Sequence, residues 1–187
     1  MESDHNAQAI PEELYSYNTG QPFDKCSDCG RELIKSGELY VIEKAFRQYD
    51  GYSAKDVVFE VAICMHCAER IKDELSEESV ANMMLFFEEM MANGQQLPQG
   101  DTLSQCVVTG RKKAELPGYQ INALCQGGQL SPLQPPYLVS TAVLDEMNDV
   151  LSDSTRDFLE GYSQKFVGPT PESYIGTPDG GGRLVLI

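Results

Sequence analysis

Alternation of apolar and polar residues is clearest in the first third of the chain. Between positions 56 and 63, one face of a strand would carry apolar residues only. They are Val57, Phe59, Val61 and Ile63. This period of two predicts a β-strand. A second strand is predicted from Leu39 to Phe46, and Asp50-Gly51 between the two runs is typical of a turn. The pattern therefore predicts a β-hairpin.

Helical spacing replaces this alternation after the hairpin. Ile71 and Leu75 lie four residues apart and predict a short helix. Ser76 is a favourable N-cap for a second helix, which ends at Gly94. Its apolar positions recur at helical spacing. They are Val80, Met83, Met84, Phe87, Met90 and Met91. Met commonly fills cores, so we expect this helix to pack internally or against a second copy of the chain.

Two Cys-x-x-Cys pairs flank the predicted hairpin. They are Cys26 and Cys29 before it, and Cys64 and Cys67 after it. A two-residue gap lets both sulfurs of a pair face one ion, and two pairs complete a tetrahedron. Gly30 suits the tight turn of a zinc knuckle. The spacing predicts one structural zinc ion, and a rubredoxin-type iron centre is the alternative.

The second cysteine pair leads directly into the predicted short helix. The positive end of that helix favours the thiolate forms of Cys64 and Cys67. A knuckle, a hairpin and a helix that carries the last two ligands together resemble the treble-clef group of zinc folds, over about residues 24 to 75. The resemblance implies a fold only, because treble clefs serve many unrelated functions.

The second half of the chain repeats landmarks of the first half in the same order. The stretch from Cys106 to Arg111 resembles that from Cys26 to Arg31, and Met147 to Asp153 resembles Ile71 to Glu77. We therefore expect an α+β fold of two tandem, duplicated units. Each unit would be a zinc knuckle and β-hairpin followed by two helices.

The second unit is expected to be degenerate and metal-free. Thr109 and Gly128 stand where the first unit has cysteines. The remaining thiols are Cys106 and Cys125, and Cys125 is aligned with Cys64. Two thiols cannot close a tetrahedral zinc site. A reducing compartment favours free, buried thiols at these positions over a disulfide.

Changes in composition divide the chain into five segments. They are an acidic lead-in (1–23), the zinc unit with its two helices (24–94), a linker (95–104), the degenerate repeat with its two helices (105–168) and a Pro/Gly-rich tail (169–187). The lead-in carries side chains suited to docking onto the body. They are Ile10, Leu14, Tyr15 and Tyr17. The last five residues, 183–187, predict a strand added to this chain or to a neighbour, with disorder as the alternative.

Charge limits the classes of partner. The 187 residues include 14 Lys plus Arg and 29 Asp plus Glu, which gives a net charge of −15. Such a field repels phosphate backbones, so a zinc-finger nucleic-acid binder is a weaker alternative, with one basic cluster at 111–113. We see no leader and no apolar run long enough for a membrane helix. Together with metal-type cysteine pairs, this predicts a cytoplasmic protein.

Catalysis is not expected at the cysteine site. A catalytic zinc keeps one position open for water, whereas four cysteines close the coordination shell. The only histidines are His5 and His66, and His66 is expected to be an exposed residue of the second knuckle. The expected function is therefore a non-catalytic adaptor or protein–protein interaction module. Its partner would be a protein with a basic surface, or a second copy bound through the helix at 77–93. A thiol redox protein is the enzymatic alternative.

Overall fold

One antiparallel sheet joins the two halves of the chain in the computed structural model, which describes residues 8–92 and 101–166. Its strands are β1 (Leu39–Gln48), β2 (Lys55–Cys64), β3 (Gly118–Gln126), β4 (Gln129–Leu130) and β5 (Tyr137–Ser140). β1 lies between β2 and β3, and β3 also pairs with β4 and β5. The pairing of β1 with β3 joins strands on opposite sides of the predicted linker.

Four helices follow the strands in two consecutive pairs. They are α1 (Met65–Asp73), α2 (Glu77–Ala92), α3 (Thr141–Asp149) and α4 (Asp153–Ser163). Short 3-10 turns occur at Glu12–Leu14 and Lys113–Glu115. α1 packs against β1 and β2, and α3 packs against β3 and β5. The α+β class is therefore confirmed. None of the helices in the described part of the chain is long and apolar enough to span a bilayer.

The predicted hairpin is present, and both of its strands extend slightly beyond the predicted bounds. Phe59, Val61 and Ile63 are buried, as their alternation predicts. Gly51 adopts a positive φ of 79° in the connecting turn, a conformation that glycine accepts without steric cost. Ser76 caps α2, since its Oγ accepts the N–H of Ser79 at 3.1 Å.

The N-terminal segment docks onto the sheet. Ile10 and Leu14 are buried in the core, and Tyr15 packs against it. The side chain of Tyr17 is instead 74% exposed. Tyr17 contributes through its backbone N–H, which donates to the carboxylate of Glu60. That carboxylate also forms an ion pair with the nearly buried Lys44, at 3.1 Å.

The alignment of Cys125 with Cys64 is wrong. Cys125 lies near the end of β3, paired with Tyr40 of β1, and no helix follows it directly. The residue that immediately precedes α3, as Cys64 precedes α1, is Ser140. The error arose because the strand before α3 is the four-residue β5, which contains no cysteine and is too short to show alternation.

Gly128 was misaligned for the same reason. It lies between β3 and β4, whereas the residue three positions after Ser140 is Val143, in the first turn of α3. Cys67 occupies this place in α1. The five-segment division of the chain stays a prediction. Residues 95–100 of the linker and the tail at 169–187, including 183–187, lie outside the described residues, as does Gly94.

Candidate metal centre

Four cysteine side chains converge where β2 ends and α1 begins. Their Sγ atoms all lie within 4.8 Å of one another. They belong to Cys26, Cys29, Cys64 and Cys67. The structure therefore brings together every residue that the sequence predicts as a metal ligand. In the described ranges, 8–92 and 101–166, this is the one group of three or more His, Cys, Asp or Glu side chains at such distances.

The sulfur spacing fits one tetrahedral ion. With a zinc–sulfur bond of about 2.3 Å, the edge of the sulfur tetrahedron is about 3.8 Å. The Sγ atoms of Cys29 and Cys64 are 3.7 Å apart. A disulfide would require a separation of about 2.05 Å, and all six cysteines of the chain are free thiols. The cluster can therefore hold one metal ion.

The first pair lies in a tight turn fastened to β2. The N–H of Gly30 donates to the carbonyl of Cys26 at 2.9 Å, and Gly30 adopts a φ of 73° that favours glycine. Ser27 then ties the turn to Ala62 of β2 by two hydrogen bonds: its N–H donates to the Ala62 carbonyl at 2.8 Å, and its Oγ accepts the Ala62 N–H at 3.0 Å. These hydrogen bonds fix the position of the knuckle relative to β2.

The second pair lies at the start of α1. Cys64 is the N-cap residue, and its N–H donates to the Sγ of Cys26 at 3.4 Å, which links the two pairs directly. Cys67 lies in the first turn and is fully buried. Both sulfurs are therefore near the positive end of the helix, which stabilises thiolates.

The thiols of Cys29, Cys64 and Cys67 differ in their pKa values. Cys29 is the exposed member, and the backbone N–H of Arg31 is the main reason why its pKa falls to about 7. Burial raises the pKa of Cys64 and of Cys67. Metal ligation requires all the sulfurs as thiolates, so the buried thiols need a bound cation to offset the cost of their charge.

Several neighbours of the cluster were not identified from the sequence. Arg70, one turn after Cys67, donates to its Sγ at 3.8 Å and forms an ion pair with Asp28, which lies inside the first pair. The sequence signal for this ion pair is the acidic residue inside the first Cys-x-x-Cys motif and the arginine three residues after the second. The arginine supplies positive charge next to a cluster that is strongly negative when ionised.

Tyr162 of α4, in the second half of the chain, lies near this site. It is buried, and its pKa is raised by that burial and then by the negative charge of Asp28. No local pattern in the sequence indicates that Tyr162 lies near the cysteines. By contrast, His66 is exposed, as expected for a residue between two ligands.

A turn of the same construction is present in the second half. The N–H of Gly110 donates to the carbonyl of Cys106 at 2.9 Å, and the N–H of Ser140 donates to the Sγ of Cys106 at 3.3 Å. Burial raises the pKa of Cys106, but hydrogen bonds from Thr109 and Ser140 outweigh it and lower the pKa. Cys106 and Cys125 are free and buried, as predicted.

Comparison with known proteins gives no matching family model, no matching curated protein and no matching solved structure. The metal preference of the cluster is inferred from the chemistry of its four sulfur atoms. Four soft sulfur donors at tetrahedral spacing suit Zn²⁺ or iron and do not suit Mg²⁺ or Ca²⁺, which prefer oxygen.

Proposed function

We propose that the chain is a non-catalytic zinc protein in which one structural ion, bound by Cys26, Cys29, Cys64 and Cys67, joins the knuckle to α1. The observation on which this depends most is the tetrahedral spacing of the four sulfurs, all within 4.8 Å of one another. Zinc is favoured over iron because a closed shell of four cysteines is its ordinary structural site. A closed shell leaves no position for a substrate or water, which supports a role outside catalysis.

The region around the knuckle needs such an ion because it has little apolar core of its own. Between β1 and the docked N-terminal segment, the buried apolar side chains are Cys26 and Leu33. A bound metal replaces core in small units of this kind. The order of turn, hairpin and helix supports the resemblance to treble clefs as a description of this half.

Metal analysis of the freshly purified protein tests the proposal. We expect about one equivalent of zinc per chain and no visible absorption, which an iron–thiolate centre would produce. Cys29→Ser removes the exposed ligand and should lower both the zinc content and the stability. Cys125→Ser is the control for zinc content, because Cys125 is also a free thiol but lies outside the cluster. Stability is compared with the wild type, since Cys125 is buried and Cys29 is exposed.

Two outcomes would contradict the structural role. If Cys29→Ser loses its zinc and unfolds at the same denaturant concentration as the wild type, the ion does not support the fold. If the wild type contains less than about half an equivalent of metal and rapidly forms disulfides, the thiol redox interpretation takes its place. Cobalt substitution adds a spectroscopic check on tetrahedral sulfur coordination.

We also propose that the two halves are copies of one unit, related by an approximate two-fold axis. The Ser76 N–H donates to Thr155 Oγ1 at 3.0 Å, and reciprocally the Ser152 N–H donates to Ser79 Oγ at 2.9 Å. The two N-cap hydroxyls, of Ser76 and Ser152, are 2.9 Å apart. A two-fold axis between the N-termini of α2 and α4 accounts for all three contacts.

The sheet supports the same axis, because Tyr40 of β1 pairs with Cys64 of β2 and, in the same way, Tyr119 of β3 pairs with Ser140 of β5. If Tyr40 of β1 corresponds to Tyr119 of β3, then Glu43 corresponds to Asn122. These last two residues are directly paired across the strands. A two-fold axis between antiparallel neighbours has this consequence, since a residue on the axis faces its own counterpart. In this alignment β5 corresponds to β2, and Ser140 to Cys64.

The strongly acidic surface supports a role in binding another protein. A partner with a basic surface would be electrostatically complementary to it. The nucleic-acid alternative is weaker because two residues of the basic cluster at 111–113 already form contacts within the chain. Lys113 is engaged in an ion pair with Glu13 at 2.6 Å, and Arg111 donates to the carbonyl of Glu115 at 2.9 Å. Binding of a DNA or RNA duplex with a steep salt dependence would favour that alternative instead. Cytoplasmic residence remains a prediction.

A further inference from the structure

A groove of about 470 Å³ lies between α2 and the turn that joins α3 to α4. Its lining is mixed: polar side chains predominate, and Leu85 and Phe86 of α2 and Val150 of the opposite wall contribute apolar surface. Leu85 is 55% exposed, and the neighbouring Met84 is 58% exposed. Large apolar side chains that remain accessible in a concave place are typical of a surface that binds another molecule.

The rim of the groove is acidic. Glu78 and Glu89 of α2 and Asp149 at the end of α3 line it, and all three are exposed. None of the ion pairs formed by the described residues includes these carboxylates. Their charges are therefore available to a partner.

The backbone strengthens this negative field. Asp149 is the last residue of α3, a position where the helix dipole disfavours an acid, and the last turn of α3 has no basic residue to compensate. The next carbonyl, that of Val150, accepts a hydrogen bond from the side chain of Asn82 at 2.9 Å. The α3 terminus is thus fixed against α2, with its negative end at the groove.

We propose that this groove binds a basic, amphipathic helix of a partner protein. The inference rests on the proposed interaction function and adds to it the surface and the chemistry of the partner. Glu78 and Glu89 are eleven residues apart, which is about 16 Å along α2 at 1.5 Å per residue. A complementary segment has about three helical turns, with apolar residues over Leu85 and Lys or Arg at each end.

A second copy of the chain is a poorer occupant of the same groove. A two-fold symmetric dimer places each patch against itself, so the carboxylates of Glu78, Glu89 and Asp149 would face the same carboxylates in the other copy. Like charges across an interface oppose association. A basic partner relieves this repulsion, whereas a second copy adds to it.

The test uses the zinc-loaded full chain and a labelled model peptide of about fourteen residues, in which Leu residues follow helical spacing on one face and Lys residues occupy both ends. Fluorescence anisotropy measures its Kd. The groove variant is Glu78→Lys/Glu89→Lys. The control variant is Glu12→Lys/Asp50→Lys, which changes the net charge equally at exposed positions that do not line the groove.

We expect the groove variant to bind the peptide at least about tenfold more weakly than the wild type, and the control less than about twofold more weakly. Leu85→Ser should weaken binding without any change in charge. A peptide of the same composition, with its Leu residues scattered around the helix, should bind more weakly than the amphipathic one. Circular dichroism and zinc content must be unchanged in every variant compared.

Equal weakening by the groove and control variants would overturn the proposal, because it would mean that only net charge matters. Absence of binding to the wild type would overturn it as well. A dimer in sedimentation equilibrium that Leu85→Ser dissociates would assign the groove to a second copy. None of these outcomes affects the zinc content, so failure of the groove is distinguishable from failure of the structural zinc site.

Discussion

Three substitutions in the second half should create a second metal site. In the proposed two-fold alignment, the places of the four ligands are taken by Cys106, Thr109, Ser140 and Val143. The burial of each ligand matches that of its counterpart: Cys29 and Thr109 are both exposed, and the other three pairs are buried. The triple variant Thr109→Cys/Ser140→Cys/Val143→Cys therefore supplies the three missing sulfurs around Cys106.

The cost of these changes in the metal-free protein follows from the local contacts. Ser140 caps α3 by accepting the N–H of Val143 at 3.4 Å, and loss of such a cap costs about 1 kcal/mol. Val143 is buried, and trimming its side chain costs about another 1 kcal/mol. Thr109 is exposed, but its Oγ1 accepts the N–H of Arg111 at 3.3 Å, so its replacement adds a cost of a few tenths of a kcal/mol, at most about 0.5 kcal/mol. The sum is a destabilisation of about 2 kcal/mol.

Zinc should reverse the sign of this effect. Free zinc at about one hundred times its Kd stabilises the folded state by about 2.7 kcal/mol, which exceeds the cost of the substitutions. The assays are metal analysis, with two zinc equivalents expected in place of one, and urea unfolding with and without a chelator. Adding Cys106→Ser to the triple variant is the control and should return the content to one. A folded triple variant that still binds one equivalent would refute the alignment.

Three other predictions concern the way the halves are held together. Leu14→Ala should lower the free energy of unfolding by about 3 kcal/mol in urea titration, because Leu14 is fully buried; a loss below about 1 kcal/mol would mean that the N-terminal segment does not dock. Burial raises the pKa of Glu13, but the hydrogen bonds and charges of Lys113 and Lys55 outweigh burial, and the pKa is lowered. The ionised carboxylate therefore stabilises the fold at neutral pH. This stabilisation is lost as the pH falls through the folded-state pKa of Glu13. Glu13→Gln should therefore be less stable than the wild type near pH 7 and equally stable in acid, and a constant difference across a pH series would contradict this. Removal of zinc should reduce amide exchange protection in β3 as well as in β1, since the two strands are hydrogen-bonded; protection that falls in β1 alone would show that the halves unfold separately.

The first half could be predicted well because its signals are local. Two cysteines separated by two residues must lie close together, and alternation over eight residues determines which face of β2 is buried. The structure accordingly places the four predicted ligands together and forms both predicted strands. The resemblance to treble clefs used the same local order of turn, hairpin and helix.

The second half could not be predicted as well because its signals are weaker and depend on distant contacts. β3 ends close to a cysteine, as β2 does, and for this reason the sequence comparison matched Cys125 with Cys64, although no helix follows β3 directly. The strand that leads into α3 is only Tyr137–Ser140, and two prolines directly precede it. The proximity of Tyr162 to the cysteine site has no local signature, since these residues are about a hundred positions apart in the sequence.

The position of β1 decides how far the effect of the metal extends. The proposed zinc ion would fasten α1 and the knuckle to the hairpin. β1 also supplies the whole long edge on which β3 pairs, from Leu39 with Gln126 to Arg47 with Gly118. The N-terminal segment adds a second link, because Glu13 contacts Lys55 of β2 and Lys113 of the second half. Loosening the hairpin would therefore expose the hydrogen-bonding edge of β3 and break this link. In the proposed zinc-bound state, an ion held by the first half would thus stabilise both halves. The second half would then keep its fold with Thr109, Ser140 and Val143 at the positions that the proposed alignment matches to ligands.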